Sequence, residues 1–483
     1  MKERSFIKNI LVRLILTAPV NLKGIIVIPL LTRLYTQEVY GAWLQLLLMR
    51  DILLPLLSLR LETAILRYLT KEKEPQAIIK GVFTVTVLVT LAFLAFVYFF
   101  HGLAGDLIFG ERTFAGVLFI GSIWIAVNGL MHVGLSVLRA MEKITTLSLR
   151  ELMSALWTVF SAVCAYLLGL DIEKFIWLCI AGDTALLLWI LFQIRTPLPL
   201  TSLLRAWLVL KKFIGYSAPL IINSLFLWFT KSIDRILIVN LIGLSAVSIY
   251  GVALQITNVM SIVLSPINFV LFPRVIASWN MKKKDDVNHF FSLALTMTIA
   301  CSIPMLVGLL VVSDSLILLL AGKGYHTGKL LILFFLLAEL AIMIYQNHLY
   351  AIHLVEKTYL LPVLFVLTAA MNFMLGYFLT RSIGLLGAVI ARFCTFGFMA
   401  LVVTVWSRKY IRFEIPWILI GKMLIISLVM GGCVYWMPMS TWPQLATVVG
   451  AGCLIYAALL FGTGIVTKDA LSSFKREFLW KNA

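Results

Sequence analysis

The fold is indicated by one short motif that occurs twice, as YGAWLQ at residues 40–45 and as YGVALQ at residues 250–255. Other features recur around both copies in the same order and at nearly the same offset. They are Pro55 and Pro266 downstream of the motif, and Ala18-Pro19 and Ala218-Pro219 upstream of it. This repetition predicts that the chain contains two copies of one structural unit, as the two halves of many transporters do.

Long apolar stretches predict that both copies lie in a membrane. A membrane-spanning helix needs about 20 mostly apolar residues, and residues 81–100 and 290–313 reach this length without one charged side chain. The chain is 61% hydrophobic and 13% charged, with a mean hydropathy of +1.02, whereas soluble proteins are about half apolar and a quarter charged. This composition excludes soluble enzymes, nucleic-acid-binding proteins and secreted disulfide-rich proteins.

The apolar stretches predict about fourteen transmembrane helices. The predicted spans are 9–32, 40–66, 81–100, 114–138, 152–170, 175–194, 213–241, 245–273, 290–313, 330–352, 358–380, 385–406, 415–436 and 444–466. Because an even number of spans separates the two motif copies, both copies have the same orientation. We therefore expect an all-α polytopic membrane protein with two pseudo-twofold-related six-helix lobes plus helices 13 and 14. The predicted domains are an N-lobe at 1–194, a cytoplasmic inter-lobe linker at 195–212, a C-lobe at 213–406, and helices 13–14 with a cytoplasmic C-terminal tail at 407–483.

The distribution of basic residues predicts the orientation of the spans. The chain has 40 Lys and Arg residues against 22 Asp and Glu, a net charge of +18, and the basic residues concentrate in the termini and in alternate loops. Cytoplasmic loops are enriched in Lys and Arg, so both termini are predicted to be cytoplasmic in a multi-pass protein of the cell (cytoplasmic or inner) membrane. The positive charge is then expected to face anionic membrane lipids and not nucleic acid.

Isolated charges inside the predicted spans indicate a functional site. A charge at the centre of a membrane helix costs about 2.5–3.5 kcal/mol, so it should face a partner or water. Because basic residues outnumber acidic ones here, we expect a wet cavity that accepts an anion. The cations assigned to this cavity are Lys23, Arg50, Arg60, Lys231, Arg235 and Arg392. The acidic residues proposed for ion coupling are Asp51, Asp183, Asp234 and Glu339.

Uncharged polar residues at helical spacing predict the rest of the cavity lining. Residues three or four positions apart share one face of a helix, and a polar face on an apolar helix should line an aqueous space. The residues assigned to this lining are Asn128 and His132 in the fourth span, Gln255 and Asn258 in the eighth, and Gln346 in the tenth.

Structural interpretations of several charged residues stay open beside the functional ones. They are that Arg60 only extends to the membrane interface, that Asp51 neutralises Arg50, that Asp234 pairs with Lys231 or Arg235, and that His132 is a hydrogen-bonded packing residue. Each of these would account for a charge without a transported ligand.

Motifs at the start of each half resemble those of a known family. Residues 24–33 read GIIVIPLLTR and precede the first YG pair, while the second half has DRILI at 234–238, IYG at 249–251 and FPR at 272–274. These motifs resemble those of the oligosaccharide and polysaccharide flippases, which belong to the multidrug/oligosaccharidyl-lipid/polysaccharide exporter superfamily. The resemblance covers essentially the whole chain and implies two lobes with fourteen helices in all.

The resemblance implies a transporter and not an enzyme. The expected substrate is an undecaprenyl- or other polyprenyl-pyrophosphate-linked oligosaccharide, moved from the cytoplasmic to the outer leaflet by alternating access. Its pyrophosphate would bind the cavity cations, and its sugars the uncharged polar lining. Transport would be coupled to H+ or Na+, with no catalytic residue, no metal and no other cofactor. A polysaccharide polymerase and glycosyltransferases are the expected protein partners.

Three other functions fit parts of the sequence. A flippase for lipid II, the peptidoglycan precursor, would share both the fold and the cationic cavity. A multidrug exporter of the same superfamily carries cations, for which a net acidic cavity would be expected. A membrane glycosyl polymerase or ligase would need a long outer loop, and the predicted outer loops are short.

Overall fold

The computed structural model describes residues 23–69, 74–194, 201, 203–357, 361–411 and 417–464. Within these ranges every regular element is a helix, which confirms the all-α prediction. Thirteen helices in the described ranges are long and apolar enough to cross a membrane, and they coincide in order with the second to fourteenth predicted spans. Most of the first predicted span, 9–32, lies outside the described residues.

The chain forms two compact units, Met1–Gly251 and Val252–Ala483. The helices of the first unit are α1 over the described residues 23–34, α2 (Gln37–Leu57), α3 (Leu61–Tyr68), α4 (Pro75–Phe109), α5 (Ala115–Ala140), α6 (Ile144–Leu168), α7 (Ile172–Ile194), α8 (Leu203–Leu241) and the start of α9 (Leu244–Thr257). Those of the second unit are α10 (Leu264–Asn280), α11 (Lys284–Leu320), α12 (Lys329–Leu354), α13 (Leu361–Ile383), α14 (Leu385–Ser407), α15 (Trp417–Tyr435) and α16 (Trp442–Gly462).

The lobe boundaries inferred from the sequence stay a prediction. The compact units divide at Gly251, within α9, whereas the proposed linker is at 195–212. Of that linker, residues 195–200 and 202 lie outside the described part, and residues 203–212 form the first part of α8.

The repeated Tyr-Gly motif packs the first unit together. Tyr40 and Tyr250 are both buried. Gly41 lies so close to the backbone of Leu244 that a Cβ atom there would overlap the Leu244 carbonyl oxygen. A Cβ atom at Gly251 would likewise overlap the side chain of Leu44. Glycine at these positions lets helices approach closely, which is how membrane helices associate where lipid provides no hydrophobic driving force.

The second and eighth predicted spans are both interrupted. The α2 helix contains Pro55 and ends at Leu57, and α3 begins at Leu61 after two residues with left-handed φ angles, Leu59 (49°) and Arg60 (55°). In the eighth span, α9 is followed by a 3₁₀ segment, Asn258–Val263, and then by α10. Proline removes a backbone hydrogen bond and disrupts the helix around it, which fits the interruption close after Pro55.

Candidate functional site

A cavity of about 170 Å³ lies within the first unit, between α2 and α8. Its charged lining residues are Arg60 and Lys231, which are basic, and Asp51, which is acidic. The remaining lining residues are Ile52, Pro55, Leu56, Ile221, Ser224, Leu225, Leu227 and Trp228. The cavity thus brings together three of the charged residues predicted from the sequence, with two cations against one carboxylate.

Arg60 enters the cavity because the helix breaks at this residue. Its left-handed backbone conformation costs about 1–2 kcal/mol for a residue with a side chain and is held by hydrogen bonds. The Arg60 backbone N–H donates to the Pro55 carbonyl (3.1 Å), and the Ser217 hydroxyl donates to the Arg60 carbonyl (3.3 Å). The guanidinium donates through Nε to Ser224 Oγ at 2.8 Å, and a terminal nitrogen of the same group contacts that oxygen as well.

A buried carboxylate, that of Glu62 in the first turn of α3, lies next to Arg60. Glu62 is 2% exposed, and its Oε1 lies 3.4 Å from an Arg60 terminal nitrogen. Its Oε2 accepts a hydrogen bond from Ser58 Oγ at 2.7 Å. The Arg60 side chain keeps about 30% of its surface exposed, so the guanidinium is oriented by Glu62 and Ser224 without being enclosed by them.

One hydrogen-bond donor on the cavity lining is unused. The indole Nε1 of Trp228 is buried and has no hydrogen-bond partner in the described part of the chain. Leaving such a donor unsatisfied costs about 1–3 kcal/mol. An anion or water molecule in the cavity is the kind of group that would accept this hydrogen bond.

A second group of charges lies around Asp183 of α7. Its Oδ2 accepts hydrogen bonds from Trp124 Nε1 (2.8 Å) and Asn128 Nδ2 (3.1 Å), and its Oδ1 accepts one from Ser154 Oγ (3.4 Å). Asp183 is 7% exposed. Three donors on two helices therefore hold this carboxylate in place, and Asn128 contributes one of them, although its predicted role was to line the cavity.

Arg50 joins this group to the cavity. Its guanidinium carbon lies 5.2 Å from the centroid of the Trp124 ring, whose N–H binds Asp183. Arg50 also pairs with Asp51 at 3.0 Å, and the Asp51 side chain, which lines the cavity, is 58% exposed. Asp51 thus pairs with Arg50 and also lines the cavity, so the structural and the functional interpretation of this carboxylate are compatible.

Lys23 and Arg150 add two cations beside Asp183. Lys23, on α1, interacts electrostatically with Asp183, Arg50 and Arg150. Arg150 lies on α6 and is 8% exposed; its Nε has no hydrogen-bond partner among the described residues, and a terminal nitrogen contacts Met131 Sδ. Around Asp183 the first unit therefore carries three cations, Lys23, Arg50 and Arg150.

Arg150 is the site residue that sequence reasoning missed. The predicted fifth span starts at 152 and leaves this arginine in a loop, whereas α6 begins at Ile144 and places it more than one turn inside the helix. The available signal was helical spacing. Arg150 and Ser154 are four residues apart and share a face of α6, and Ser154 donates to Asp183.

The remaining predicted residues of the first unit occupy other environments. Asp234 is 1% exposed; it accepts hydrogen bonds from the Tyr250 hydroxyl and from the Arg235 backbone N–H at 2.9 Å. The Arg235 side chain is half-buried and does not line the α2–α8 cavity. His132 is half-buried on α5 and interacts electrostatically with Glu62 and Arg60.

The second unit holds the two remaining charged residues of the predicted site. Glu339 of α12 and Arg392 of α14 are 3% and 5% exposed and form an ion pair of 3.4 Å, and the Arg392 guanidinium lies over the ring of Phe396 at 5.1 Å. Gln255 and Gln346 are half-buried, and Asn258 is exposed at the start of the 3₁₀ segment. The structure therefore places Arg60 and Lys231 on the α2–α8 cavity and Lys23 and Arg50 around Asp183. Arg50, Arg60 and Arg392 each form an ion pair with a carboxylate.

No group of three His, Cys, Asp or Glu side chains that could hold a metal ion occurs among the residues that the structure describes. The α2–α8 cavity combines two basic side chains, the Ser224 hydroxyl and the Trp228 N–H, which are groups that bind oxyanions, with the Asp51 carboxylate on the same lining.

Comparison with known proteins identifies the family. A family model described as "polysaccharide biosynthesis protein" matches residues 30–329, which is more than half of the chain. The chain belongs to this family. The family resemblance inferred from residues 24–33 and from the second-half motifs is thereby confirmed.

Individual relatives agree with this assignment. The chain is 22% identical over 314 residues to the probable low-salt glycan biosynthesis flippase Agl15 of Haloferax volcanii; the match covers 63% of this chain and 62% of that relative, just under two thirds of its length. The lipid II flippase MurJ in an inward closed conformation superposes with a TM-score of 0.76 at 17% identity, covering 97% of this chain and all of that one. An inward-facing multidrug resistance transporter of the MATE family, of the MOP superfamily, superposes with a TM-score of 0.60 at 13% identity, covering 83% of this chain and 97% of that one. At these identities the structural matches establish a shared fold.

Proposed function

We propose that this multi-pass membrane protein is a flippase for a polyprenyl-diphosphate-linked oligosaccharide, with the α2–α8 cavity receiving the diphosphate. The observation that carries this proposal is the set of cations in the first unit. Arg60 and Lys231 line the cavity, and Arg50 pairs with Asp51 at its edge. The family membership and the name of the Haloferax volcanii relative support a glycan substrate.

The chemistry of the cavity suits a diphosphate better than a sugar or a drug cation. A diphosphate cannot cross hydrocarbon as a bare anion, because burying an unpaired charge is very costly. Arg60 offers a planar set of donors that matches phosphate oxygens, and Lys231 supplies a compact positive charge. The unused Trp228 N–H can donate a hydrogen bond to an oxyanion, whereas it has no lone pair with which to bind a cation.

The cavity volume limits which part of the substrate it receives. About 170 Å³ is the volume of several water molecules, which is enough for phosphate groups and too little for an oligosaccharide. We therefore place the sugars outside this cavity, with the uncharged polar side chains as their proposed contacts. The polyprenyl tail is apolar and can stay in the lipid.

Transport by alternating access requires the cations to release the phosphate on the far side of the membrane. In our proposal the carboxylates beside the cations, Glu62 next to Arg60 and Asp51 next to Arg50, replace the phosphate when it leaves. Asp51 is the best placed of the proposed coupling acids, because it lines the cavity and is exposed, whereas Asp183, Asp234 and Glu339 are buried. H+ or Na+ bound there would weaken its pairing with Arg50 and so couple an ion gradient to the phosphate site.

The proposed direction is from the cytoplasmic to the outer leaflet of the cell membrane, with both termini cytoplasmic. The reaction moves a lipid between leaflets without making or breaking a covalent bond, so the residues need only bind, neutralise and release. Polymerase and glycosyltransferases would act before and after this step as separate proteins.

The test is a transport assay with cavity variants in a strain that lacks the natural gene. We expect Arg60→Ala and Lys231→Ala each to reduce surface glycan at least tenfold, because a lost hydrogen bond to a charged group is worth about 1.5–3 kcal/mol. The glycan-linked lipid should accumulate in the cytoplasmic leaflet. Arg381→Ala, which removes an exposed arginine at the end of α13, is the matched control and should be neutral.

Two further measurements separate this proposal from the alternatives. Complementation of a strain depleted of lipid II transport would point to the peptidoglycan precursor as the substrate, and a changed drug-resistance profile would point to a multidrug exporter. Normal surface glycan in both the Arg60→Ala and the Lys231→Ala strains, with normal amounts of protein, would remove the diphosphate site from the proposal.

A further inference from the structure

A second cavity lies wholly within the second unit and has a different chemistry. It is a groove of about 370 Å³ formed by α11, α12, α14 and α15. Its floor is made of buried aliphatic side chains of α11, and its rim of exposed apolar ones. The floor residues are Leu295, Ile299 and Ile303, and the rim residues are Leu401, Val405 and Trp417.

The dimensions of the groove fit one hydrocarbon chain. Its floor residues span eight positions of α11, from Leu295 to Ile303, which corresponds to about 12 Å at 1.5 Å per residue. One leaflet contributes about 15 Å of the roughly 30 Å hydrocarbon core. An acyl chain that ends within its own leaflet therefore matches the length of the groove, and the lining presents almost only hydrocarbon to it.

Two exposed cations stand at one end of the groove. Thr404 and Val405, which line the groove, lie in the last turn of α14, and the exposed residues Arg408 and Lys409 follow its end. Arg408 interacts electrostatically with His348, which lines the groove. Residues 401–414 carry three basic side chains, Arg408, Lys409 and Arg412, against one acidic side chain, Glu414. The groove is thus apolar along its length, and the segment that follows α14 has a net positive charge.

We propose that this groove is a binding site for an anionic diacyl phospholipid. One acyl chain lies along α11 between Leu295 and Ile303, and the phosphate head group binds Arg408 and Lys409. The charge at the mouth decides the occupant, since a lipid without net charge gains less from two adjacent cations than an anionic lipid, which each Lys or Arg near a membrane surface attracts measurably. Trp417 at the rim suits the interfacial depth at which a head group lies.

The site differs from the proposed diphosphate site in residues and in unit. The α2–α8 cavity is formed by residues of the first unit, whereas every groove residue belongs to the second. The phospholipid proposal therefore does not depend on the proposed transport activity, and each can fail separately.

The experiment is a lipid titration of the purified full-length protein followed by native mass spectrometry. The probes are phosphatidylglycerol, which is anionic, and phosphatidylcholine of the same acyl chains, which has no net charge. We expect the first bound phosphatidylglycerol to be retained about thirtyfold more tightly than phosphatidylcholine, because two cations near the surface contribute additively. Arg408→Ala combined with Lys409→Ala should remove this preference, and the charge-preserving exchange Arg408→Lys with Lys409→Arg should keep it.

A second pair of variants tests the groove itself. Thr404→Phe adds a ring to the lining and should lower the retention of both lipids at least fivefold. Leu367→Phe, on an exposed apolar position of α13 outside the groove, should leave both unchanged. The proposal is overturned if the double alanine variant keeps the full preference, if Thr404→Phe binds lipid like the natural protein, or if a polyprenyl phosphate displaces the bound phosphatidylglycerol one for one.

Discussion

At the scale of single residues, Arg150 is a buried charge whose hydrogen bonding is incomplete. It is 8% exposed, its Nε has no hydrogen-bond partner among described residues, and it interacts electrostatically with the carboxylates Asp183 and Glu151 as well as with the cations Lys23 and Arg50. We expect Arg150→Met, which keeps the length and removes the charge, to lower transport at least tenfold, and Arg150→Lys to keep a larger part of it. Flipping of a polyprenyl-diphosphate-linked glycan in proteoliposomes measures both.

A control must separate the role of the Arg150 charge from its packing. The amount of folded protein and its thermal midpoint should stay near those of the natural protein for Arg150→Met, because methionine fills irregular apolar space well. Equal transport by the methionine variant and the natural protein would show that Arg150 is a structural residue, and a loss of folded protein would lead to the same conclusion.

Asp171, in the turn before α7, permits a prediction about pH. Its carboxylate accepts a hydrogen bond from the Lys174 backbone N–H at 2.9 Å and pairs with the Lys174 ammonium, and both interactions lower the pKa of Asp171. A carboxylate with a depressed pKa stabilises the fold above its unfolded pKa of about 3.9, and this contribution is lost as the pH falls through the folded pKa.

We therefore expect Asp171→Ala to weaken the start of α7 by about 1 kcal/mol at neutral pH, the usual cost of a lost helix cap. Hydrogen exchange of the Lys174 amide should be roughly fivefold faster in this variant, and the difference should shrink toward acidic pH. Asp171→Asn, which can still cap, should behave almost like the natural protein. A difference that persists unchanged below the folded pKa would contradict the assignment.

At the scale of helices, the close approach of α2 to Leu244 depends on a missing side chain. A Cβ atom at Gly41 would overlap the Leu244 carbonyl oxygen, which is backbone and cannot move aside as a side chain can. Gly41→Ala should therefore destabilise the protein by about 1–3 kcal/mol, the usual cost of overpacking. Gly450→Ala is the matched control, because a Cβ atom there meets nothing within 4 Å. Thermal unfolding followed by loss of near-ultraviolet signal compares the two variants, and an equal midpoint for both would refute this account of the Tyr-Gly motif.

Hydropathy predicted the helices well and their interruptions poorly. Thirteen predicted spans coincide with observed helices because each needs only a long apolar run, which is a local property of the sequence. The break at Leu59 and Arg60 is only partly local. Pro55 favours an interruption nearby, but Arg60 is also held by Ser217 and Ser224 of α8, more than 150 positions away, so the pattern near Pro55 could not predict this conformation in full.

The charged residues of the candidate site, like the helices, were predictable where the signal is local in the sequence. Lys23, Arg50, Arg60 and Lys231 stand out because each interrupts an apolar run, whereas Arg150 lies beside the predicted edge of one. The partners of these charges, such as Trp124 for Asp183 or Glu62 for Arg60, follow from packing between helices. Sequence therefore identified the charges and left open which of them are paired.

At the scale of the whole molecule, each half of the internal repeat carries a polar pair that joins two of its helices. The two Tyr-Gly motifs are offset by 210 residues (250 − 40). With this offset Asn128 corresponds to residue 338 and Asp183 to residue 393, next to Glu339 and Arg392. The first pair is hydrogen-bonded at 3.1 Å between α5 and α7, and the second forms an ion pair at 3.4 Å between α12 and α14. Corresponding helices of the two halves are therefore joined by polar contacts that lie one residue apart under this offset. The first contact is a hydrogen bond between an amide and a carboxylate, and the second is an ion pair.

This difference predicts how the second pair responds to mutation. Glu339→Gln leaves the Arg392 guanidinium buried without its carboxylate, which should cost about 3–5 kcal/mol, as should Arg392→Gln, which strands the carboxylate. Changing both to Gln removes both charges, so the double variant should be more stable than either single one. Thermal unfolding of the four proteins in one detergent gives the coupling energy directly. Costs that simply add would show that the ion pair stabilises nothing.

A transport assay on the folded double variant separates a structural role of Glu339 from a role in ion coupling. If Glu339 couples H+ or Na+ to transport, the double variant should no longer respond to the ion gradient. If Glu339 is structural, transport by the double variant should still respond to the gradient.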